Sequence, residues 1–568
     1  MDGRLPDGMK ARQRLRSIRR AGSTPALLLV ALVVSGGCGT TSLKEYVHNG
    51  FKVGPDHGRP PALVAPAWIE AENPKVQNAP LPSNDWWSVF GDPKLSELIQ
   101  RSYEQNPTLR AVGARVLEAR AGQAIAVGNI FPQSQQAIAS YARVNLSPNL
   151  PPFNHLNSGP LAGTLPLSFS NWFYGFNLSW ELDLWGRIRR NVESTNANLD
   201  ASVEDYDAAL VTLFADIASN YVQYRVSQQR IKIARNNVKI QEQVLSLAEQ
   251  KFRVGTTNRL DVEQAKTILE QTRSSIPGLQ IQLGQANDTL CTLVGIPPVN
   301  LEPELGPGPD LGQSPVPNTP ASVATGIPAD LLRRRPDIRG AERQVAAQSA
   351  QIGVAEADLY PTLFINGTIG WDAEDFSKAF ATKSFLGLLL PGFRWNILNY
   401  GRIQNNIHLQ QARTAELIAA YQNRVLAAGR EVQISLRGFL RSQEQAEALQ
   451  RSVEAAAAAS QVGISQYHTG TIDFNRVFNL ETTQVQQQDR LAVAQGEIAL
   501  NLISVYRAVG GGWEYRLSQS PPAAPAPPPA APLGPVSTPN DLEAPSQPAP
   551  RSEPDRPQPA DPFPPAIP

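Results

Sequence analysis

The chain has 568 residues, 42% of them hydrophobic, and its 51 basic and 51 acidic side chains leave no formal net charge. That balance gives nucleic acid no electrostatic handle, and two cysteines, Cys38 and Cys291, with no CxxC pair speak against a disulfide framework or a zinc site. Five histidines (His48, His57, His155, His408, His468) stand singly, no Gly-rich phosphate loop follows a strand and no Ser/His/Asp constellation presents itself, so the residues support neither an enzyme nor a metal centre.

Residues 1–37 have the layout of a secretory signal. A basic stretch (Arg4, Lys10, Arg12, Arg14, Arg16, Arg19, Arg20) precedes an apolar run from Ala26 to Val34, and Ser35-Gly36-Gly37 leads to Cys38. The run is about half of what spans a bilayer. Two readings stand: a lipoprotein signal that leaves Cys38 as a lipidated N-terminus, which we adopt, or an ordinary cleaved signal with a chance cysteine. Residues 38–105 then form an extended N-terminal segment.

A first helix is expected over Pro107–Ile130. The period then becomes two: Trp172, Tyr174, Phe176, Leu178, Trp180, Leu182 and Leu184 alternate with Phe173, Gly175, Asn177, Ser179, Glu181 and Asp183, a strand with one aromatic face and one mostly polar face. Ser134–Leu146 is a weaker partner. From Gly186 to Phe252 neither Pro nor Gly intervenes, which predicts a helix close to about 100 Å long. Its apolar residues from Ile188 to Tyr224 recur at a mean of about 3.6. Ile231, Val238, Leu245 and Phe252 then recur every seven residues, the period of a left-handed supercoil. Val254-Gly255-Thr256 is a tight turn, and Asn258 suits the N-cap of a returning helix, Arg259–Val294. Asp261, three residues on, suits a capping-box arrangement. Cys291, on that helix's apolar side, reads as buried and inert.

The same pattern then repeats. Gly186-Arg187-Ile188 matches Gly401-Arg402-Ile403 at an offset of 215, which also carries Phe252 to Tyr467, Gly255-Thr256 to Gly470-Thr471 and Val294-Gly295 to Val509-Gly510. Upstream, Pro107 matches Pro336 and Phe131-Pro132 matches Tyr360-Pro361 at an offset of 229, so the first copy holds 229 − 215 = 14 extra residues between Pro132 and Trp180. Self-similarity on this scale means two copies of one structural unit. We place a first repeat at 106–296, a linker at 297–334, a second repeat at 335–513 and a disordered Pro/Ala-rich tail at 514–568. In the second copy the helices are expected over Pro336–Leu359 and Phe474–Val509, with strands at Leu363–Trp371 and Phe385–Ile397, the latter broken by Pro391-Gly392. Within each copy the two shorter helices, stacked end to end, could flank the long one. The strands fit either soluble hairpins or membrane strands. Four strands cannot close a barrel, whose smallest form has about eight, so spanning strands require an oligomer.

Residues 85–513 resemble the outer-membrane efflux proteins of the TolC/OprM type, in their lipoprotein branch. The resemblance is carried by Ile327-Pro328-Ala329-Asp330-Leu331-Leu332-Arg333-Arg334-Arg335-Pro336-Asp337-Ile338-Arg339, by Ala357-Asp358-Leu359-Tyr360-Pro361, by Trp86-Trp87-x-x-Phe90-Gly91-Asp92-Pro93 and by Leu293-Val294-Gly295-Ile296-Pro297-Pro298. It implies a mainly α fold with a transmembrane β part: a homotrimer with a 12-stranded β-barrel above a 12-helix periplasmic α-barrel. It implies a passive exit duct in the outer membrane, lipid-anchored through Cys38 and otherwise without cofactor. The partners implied are a periplasmic adaptor, an inner-membrane pump of the RND class, and outer-membrane lipid. By the same resemblance, Val254, Gly255, Thr256 and their twins Thr469, Gly470, Thr471 are adaptor-docking tips. The gate lies just past the second tip, where relatives often carry an acid after two aliphatic residues. This chain reads Val477-Phe478-Asn479, so Tyr467, Asn475 and Asn479 are expected to form a polar, less ion-selective constriction. Two alternatives remain: the duct of an ATP-driven secretion system, and a non-porous periplasmic coiled-coil scaffold.

Overall fold

The computed structural model describes residues 41–77, 79, 85–147, 168–306 and 316–518. The signal with Cys38 and the tail beyond Ser518 lie outside them. Helix α1 (Pro93–Gln105) leads into α2 (Pro107–Gly128), strands β1 (Ser134–Asn145) and β2 (Ser168–Leu182), α3 (Arg187–Arg253) and α4 (Arg259–Val294). The order recurs as α5 (Pro336–Ala357), β3 (Thr362–Ala373), β4 (Phe385–Arg394), α6 (Arg402–Thr469) and α7 (Phe474–Ala508). The offset of 229 carries α2 onto α5, and that of 215 carries α3 and α4 onto α6 and α7. With 67 and 68 residues, α3 and α6 each extend about 100 Å. Among the described residues no helix is long and apolar enough to cross a membrane.

The shorter helices do stack end to end, through one joint built twice. Gly295, at φ 90°, caps α4 against the start of α2, where a Cβ would lie 2.8 Å from the Gln105 carbonyl oxygen. Asn106 caps α2 by accepting from the Leu109 N–H and donates its amide to the Leu293 carbonyl at 2.7 Å. In the second copy Gly510, at φ 77°, meets Arg335 and Arg334, and the Arg335 guanidinium donates to the Ala508 carbonyl at 2.8 Å. Only glycine combines the left-handed backbone with so close an approach. The helix-end carbonyls thereby find donors inside the protein.

The four strands form one antiparallel sheet in the order β1-β2-β3-β4. Its register puts Trp172, Tyr174, Phe176 and Trp180 on one face with Trp371, Ile369 and Ile365 of β3. On the other face Asn177 lies opposite Thr368 and Ser179 opposite Asn366, joined by side-chain hydrogen bonds of 3.0 and 2.8 Å. The alternation read from β2 therefore holds across its neighbour. One expectation fails here: β4 runs unbroken through Pro391, which pairs with Ile365. An edge strand tolerates proline where the missing N–H would point away from its neighbour.

The seam of the lower α3 also departs from expectation. The seven-residue period is present and Ile231 is buried as expected, but below it the buried positions are Ala234, Asn237, Gln241, Val244 and Ala248, while Phe252 is 45% exposed. Small and amide side chains let the helices approach closely, and the larger apolar residues lie beside the seam. Asn237 donates across it to Gln488 of α7 at 2.9 Å. The tail also starts later than position 514. Tyr515 packs on Trp87 and Phe214, and Arg516 reaches buried Asp207 at 2.5 Å, because an aromatic pocket and a buried acid, otherwise paired only with Arg339 at 3.5 Å among the described residues, await them. That pocket belongs to a core where Tyr506 stacks on Trp86 at 5.2 Å, with its phenol pushed up to about 12 by burial.

Candidate functional site: paired helix tips

The α3–α4 and α6–α7 turns lie side by side and share one construction. Gly255 and Gly470 take φ of 77° and 81°, the left-handed values that end a helix. Thr256 then donates its N–H at 2.9 Å and its hydroxyl at 3.0 Å to the Lys251 carbonyl. Its twin Thr471 does the same to Gln466, both at 3.0 Å. This pair of hydrogen bonds to one carbonyl is a physical reason for Gly-Thr to recur when the preceding residue does not. Asn258 and Asp473 cap the returning helices, each accepting an N–H at 3.1 Å. Asp261 does not close a reciprocal box; its carboxylate accepts the Thr257 hydroxyl instead. Val254 is 73% exposed, and Gly255, Thr256, Thr469, Gly470 and Thr471 are exposed with it.

Beneath the tips the two hairpins share a small core: Val244, Ala248 and Ala265 from the first copy, Tyr467, Phe474 and Val477 from the second. Tyr467 meets Phe474 edge-on at 5.4 Å. Lys251 closes the joint, donating to the Tyr467 carbonyl with its Nζ 4.6 Å from the ring centroid. Burial raises the phenol of Tyr467 above its ordinary range. Of the three residues expected at a constriction, the structure brings together two. Asn475 and Asn479 are exposed one turn apart on α7, whereas Tyr467 is 3% exposed and packs in the joint. The reading missed Lys251; comparison with its twin Gln466 would have flagged it.

Two more features flank the site. Glu481 is buried in the α6–α7 hairpin, where its carboxylate accepts from Ser460. Burial raises its pKa, partly offset by that bond. A raised carboxyl favours folding below its unfolded value of about 4.5, and that contribution fades as pH rises through the folded value. Glu481→Gln should therefore raise the melting temperature at neutral pH and leave it nearly unchanged at pH 4, read by scanning fluorimetry. At the opposite end, buried Arg190 of α3 holds the N-terminal segment: it donates to the Val53 and Gly54 carbonyls at 2.9 and 2.8 Å and pairs with Asp56 at 2.7 Å. The Thr41 N–H donates to buried Glu356 at 2.9 Å. Cys291 is fully buried, as its helix face suggested, with Sγ 3.4 Å from the Val299 carbonyl.

These observations define a duplicated long-helix protein with an amphipathic sheet at one end and paired, exposed turns at the other. The chain belongs to the outer membrane efflux protein family, whose model matches residues 98–296 and 327–511. It is 31% identical over 441 residues to the pyoverdine export outer membrane protein OpmQ of Pseudomonas aeruginosa, covering 76% of this chain and 87% of that one. It is 26% identical over 464 residues to the probable outer membrane lipoprotein SilC of Salmonella typhimurium, covering 81% and 95%. The solved structure of the outer-membrane channel OprN superposes with a TM-score of 0.74 at 32% identity, covering 81% of this chain and 99% of that one.

Proposed function

We propose that this protein is the outer-membrane channel of a multi-component efflux system: a passive, trimeric exit duct for small molecules. The observation that carries the reading is the four-stranded sheet. Among the described residues its edges, β1 and β4, have no further strand beside them, and it exposes Phe176, Ile369, Leu389 and Phe393. Water does not tolerate so bare an apolar face, and lipid, which does, does not tolerate unpaired strand edges. Three copies close a 12-stranded barrel and satisfy both. The six long helices and their stacked partners then form a 12-helix periplasmic wall, with Asn475 and Asn479 at its constriction. In this reading Tyr467 supports the gate from the joint behind it.

Lipid on Cys38 anchors the trimer. Thr41, three residues further on, is tied to Glu356 near the start of β3, so about 10 Å of chain separates the anchor from that level. The tips Val254–Thr256 and Thr469–Thr471 are the docking points of a periplasmic adaptor that links the duct to an inner-membrane pump. The purified protein should run as a heat-modifiable trimer and conduct in planar bilayers; a scaffold without a pore would do neither. Val254→Glu with Thr469→Glu should lower export from cells at least roughly tenfold while leaving single-channel conductance unchanged, as expected for interface charges that desolvate without a partner.

A further inference from the structure

We infer that the constriction selects for anionic solutes, and that Arg476 is the residue that sets this preference; the inference rests on the duct reading above. Between Glu454 and Asp489, the second hairpin has only three Asp, Glu, Lys or Arg side chains: Asp473, Arg476 and Glu481. Neither acid lies on the face of α7 that carries Arg476. Asp473 accepts the Arg476 N–H as a helix cap, and Glu481 is buried against Ser460. Just above, Asp489 is paired with Arg230 at 2.7 Å. Arg476 forms no ion pair among the described residues and lies exposed.

Its surroundings say where it faces. Arg476, Asn479, Thr483, Gln486 and Arg490 are all exposed and follow one another at steps of 3, 4, 3 and 4, a single stripe along α7. The stripe is opposite the buried positions Phe474, Val477 and Glu481 and contains no apolar residue and no acid. A stripe of amides, a hydroxyl and two guanidinium groups, every member exposed, suits water. The twin of Arg476 in the first copy is Asp261, so the duplication has reversed a charge at one position. Asp261 has Thr257 as a hydroxyl donor, whereas the equivalent partner for Arg476 is Ile472. The first hairpin's charges are of mixed sign and partly cancel, through Arg259–Glu263, Arg273–Glu242 and Arg273–Glu270. Three copies of Arg476 around a narrow polar opening focus a positive potential there, concentrating anions and repelling cations.

The test is the reversal potential of purified wild-type channels in planar bilayers under a potassium chloride gradient. Chloride should be favoured over potassium by roughly twofold or more. Arg476→Lys should keep that preference, Arg476→Gln should bring the ratio close to one and Arg476→Glu should invert it, with the heat-modifiable trimer retained in all. A wild-type channel that prefers potassium, or a chloride preference that Arg476→Gln leaves in place, overturns this assignment and leaves the duct standing. No conductance from the wild type overturns both.

Discussion

Replacing Arg225 with methionine should destabilise the protein by about 3–5 kcal/mol, the usual cost of removing one partner from a buried charged cluster. Arg225 is fully buried in α3 and donates to the Tyr221 hydroxyl at 3.0 and 2.7 Å, to the carbonyls of Leu305 and Gly306 at 3.0 and 2.8 Å, and to Gln228 at 2.9 Å. Tyr221 passes the network on by donating to Asp92, which is itself 4% exposed and caps α1 through the Lys94 N–H. One guanidinium thus ties the N-terminal segment, the long helix and the linker that follows the first repeat. Methionine fills the volume but supplies no donor. The Leu305 carbonyl then loses its donor, the Gly306 carbonyl keeps only the Gln228 amide at 3.4 Å, and the Tyr221 hydroxyl that donates to Asp92 loses both bonds from the guanidinium. The urea midpoint of the detergent-solubilised trimer measures the loss. Asp92→Asn in the same chain should recover part of it, because an amide no longer buries an uncompensated charge, and the coupling of the pair is read from the double-mutant cycle. A fall below about 1 kcal/mol would place Arg225 among surface-like ion pairs and contradict its burial.

How much of this was legible beforehand follows the range of the interactions involved. The bounds of α4 match the expectation at both ends, and α3 does to within a residue, because glycine turns, Asn258 and an unbroken apolar period are local signals. The repeat was visible because offsets of 215 and 229 need no structural knowledge. The sheet faces followed from strict alternation around Trp172–Leu182. What escaped was long-range or small. Arg190 finds its partners about 135 residues upstream and Arg225 finds Leu305 80 residues downstream, at spacings that no period announces. The supercoil seam was sought among large apolar residues; Ile231 is buried there, but below it the seven-residue spacing is kept by Ala234, Gln241 and Ala248, which the period reveals only once burial is known. Tyr467 was assigned to the constriction by resemblance; the local pairing with Phe474 and Lys251 puts it in the joint. The α4 helix also continues through Pro277, an exposed position where water can take up the carbonyl left without a donor.

Two adjacent residues separate a membrane sheet from a soluble one. Phe176 and Asn177 sit mid-strand in β2, in consecutive positions and therefore on opposite faces. Phe176 is 62% exposed on the aromatic face, opposite Ile369 and Ala137. Asn177 is on the polar face, where it accepts from Thr368 at 3.0 Å opposite Gln136. If the aromatic face meets lipid, Phe176→Arg costs about 2–4 kcal/mol per chain at the bilayer midplane, a burden multiplied by three in a trimer. Asn177→Arg points into water and costs little beyond one hydrogen bond, about 1 kcal/mol. The expected result is loss of the heat-modifiable trimer from outer-membrane fractions for Phe176→Arg and near-normal recovery for Asn177→Arg. A soluble sheet with its aromatic face packed on protein would also lose Phe176→Arg, so the second readout is decisive: refolding in detergent micelles of shorter acyl chain, which thin the apolar belt and let an arginine reach the interface. Rescue there assigns the aromatic face to lipid. Equal tolerance of both substitutions in the membrane would leave the sheet outside the bilayer and remove the physical reason for three chains to close around a pore.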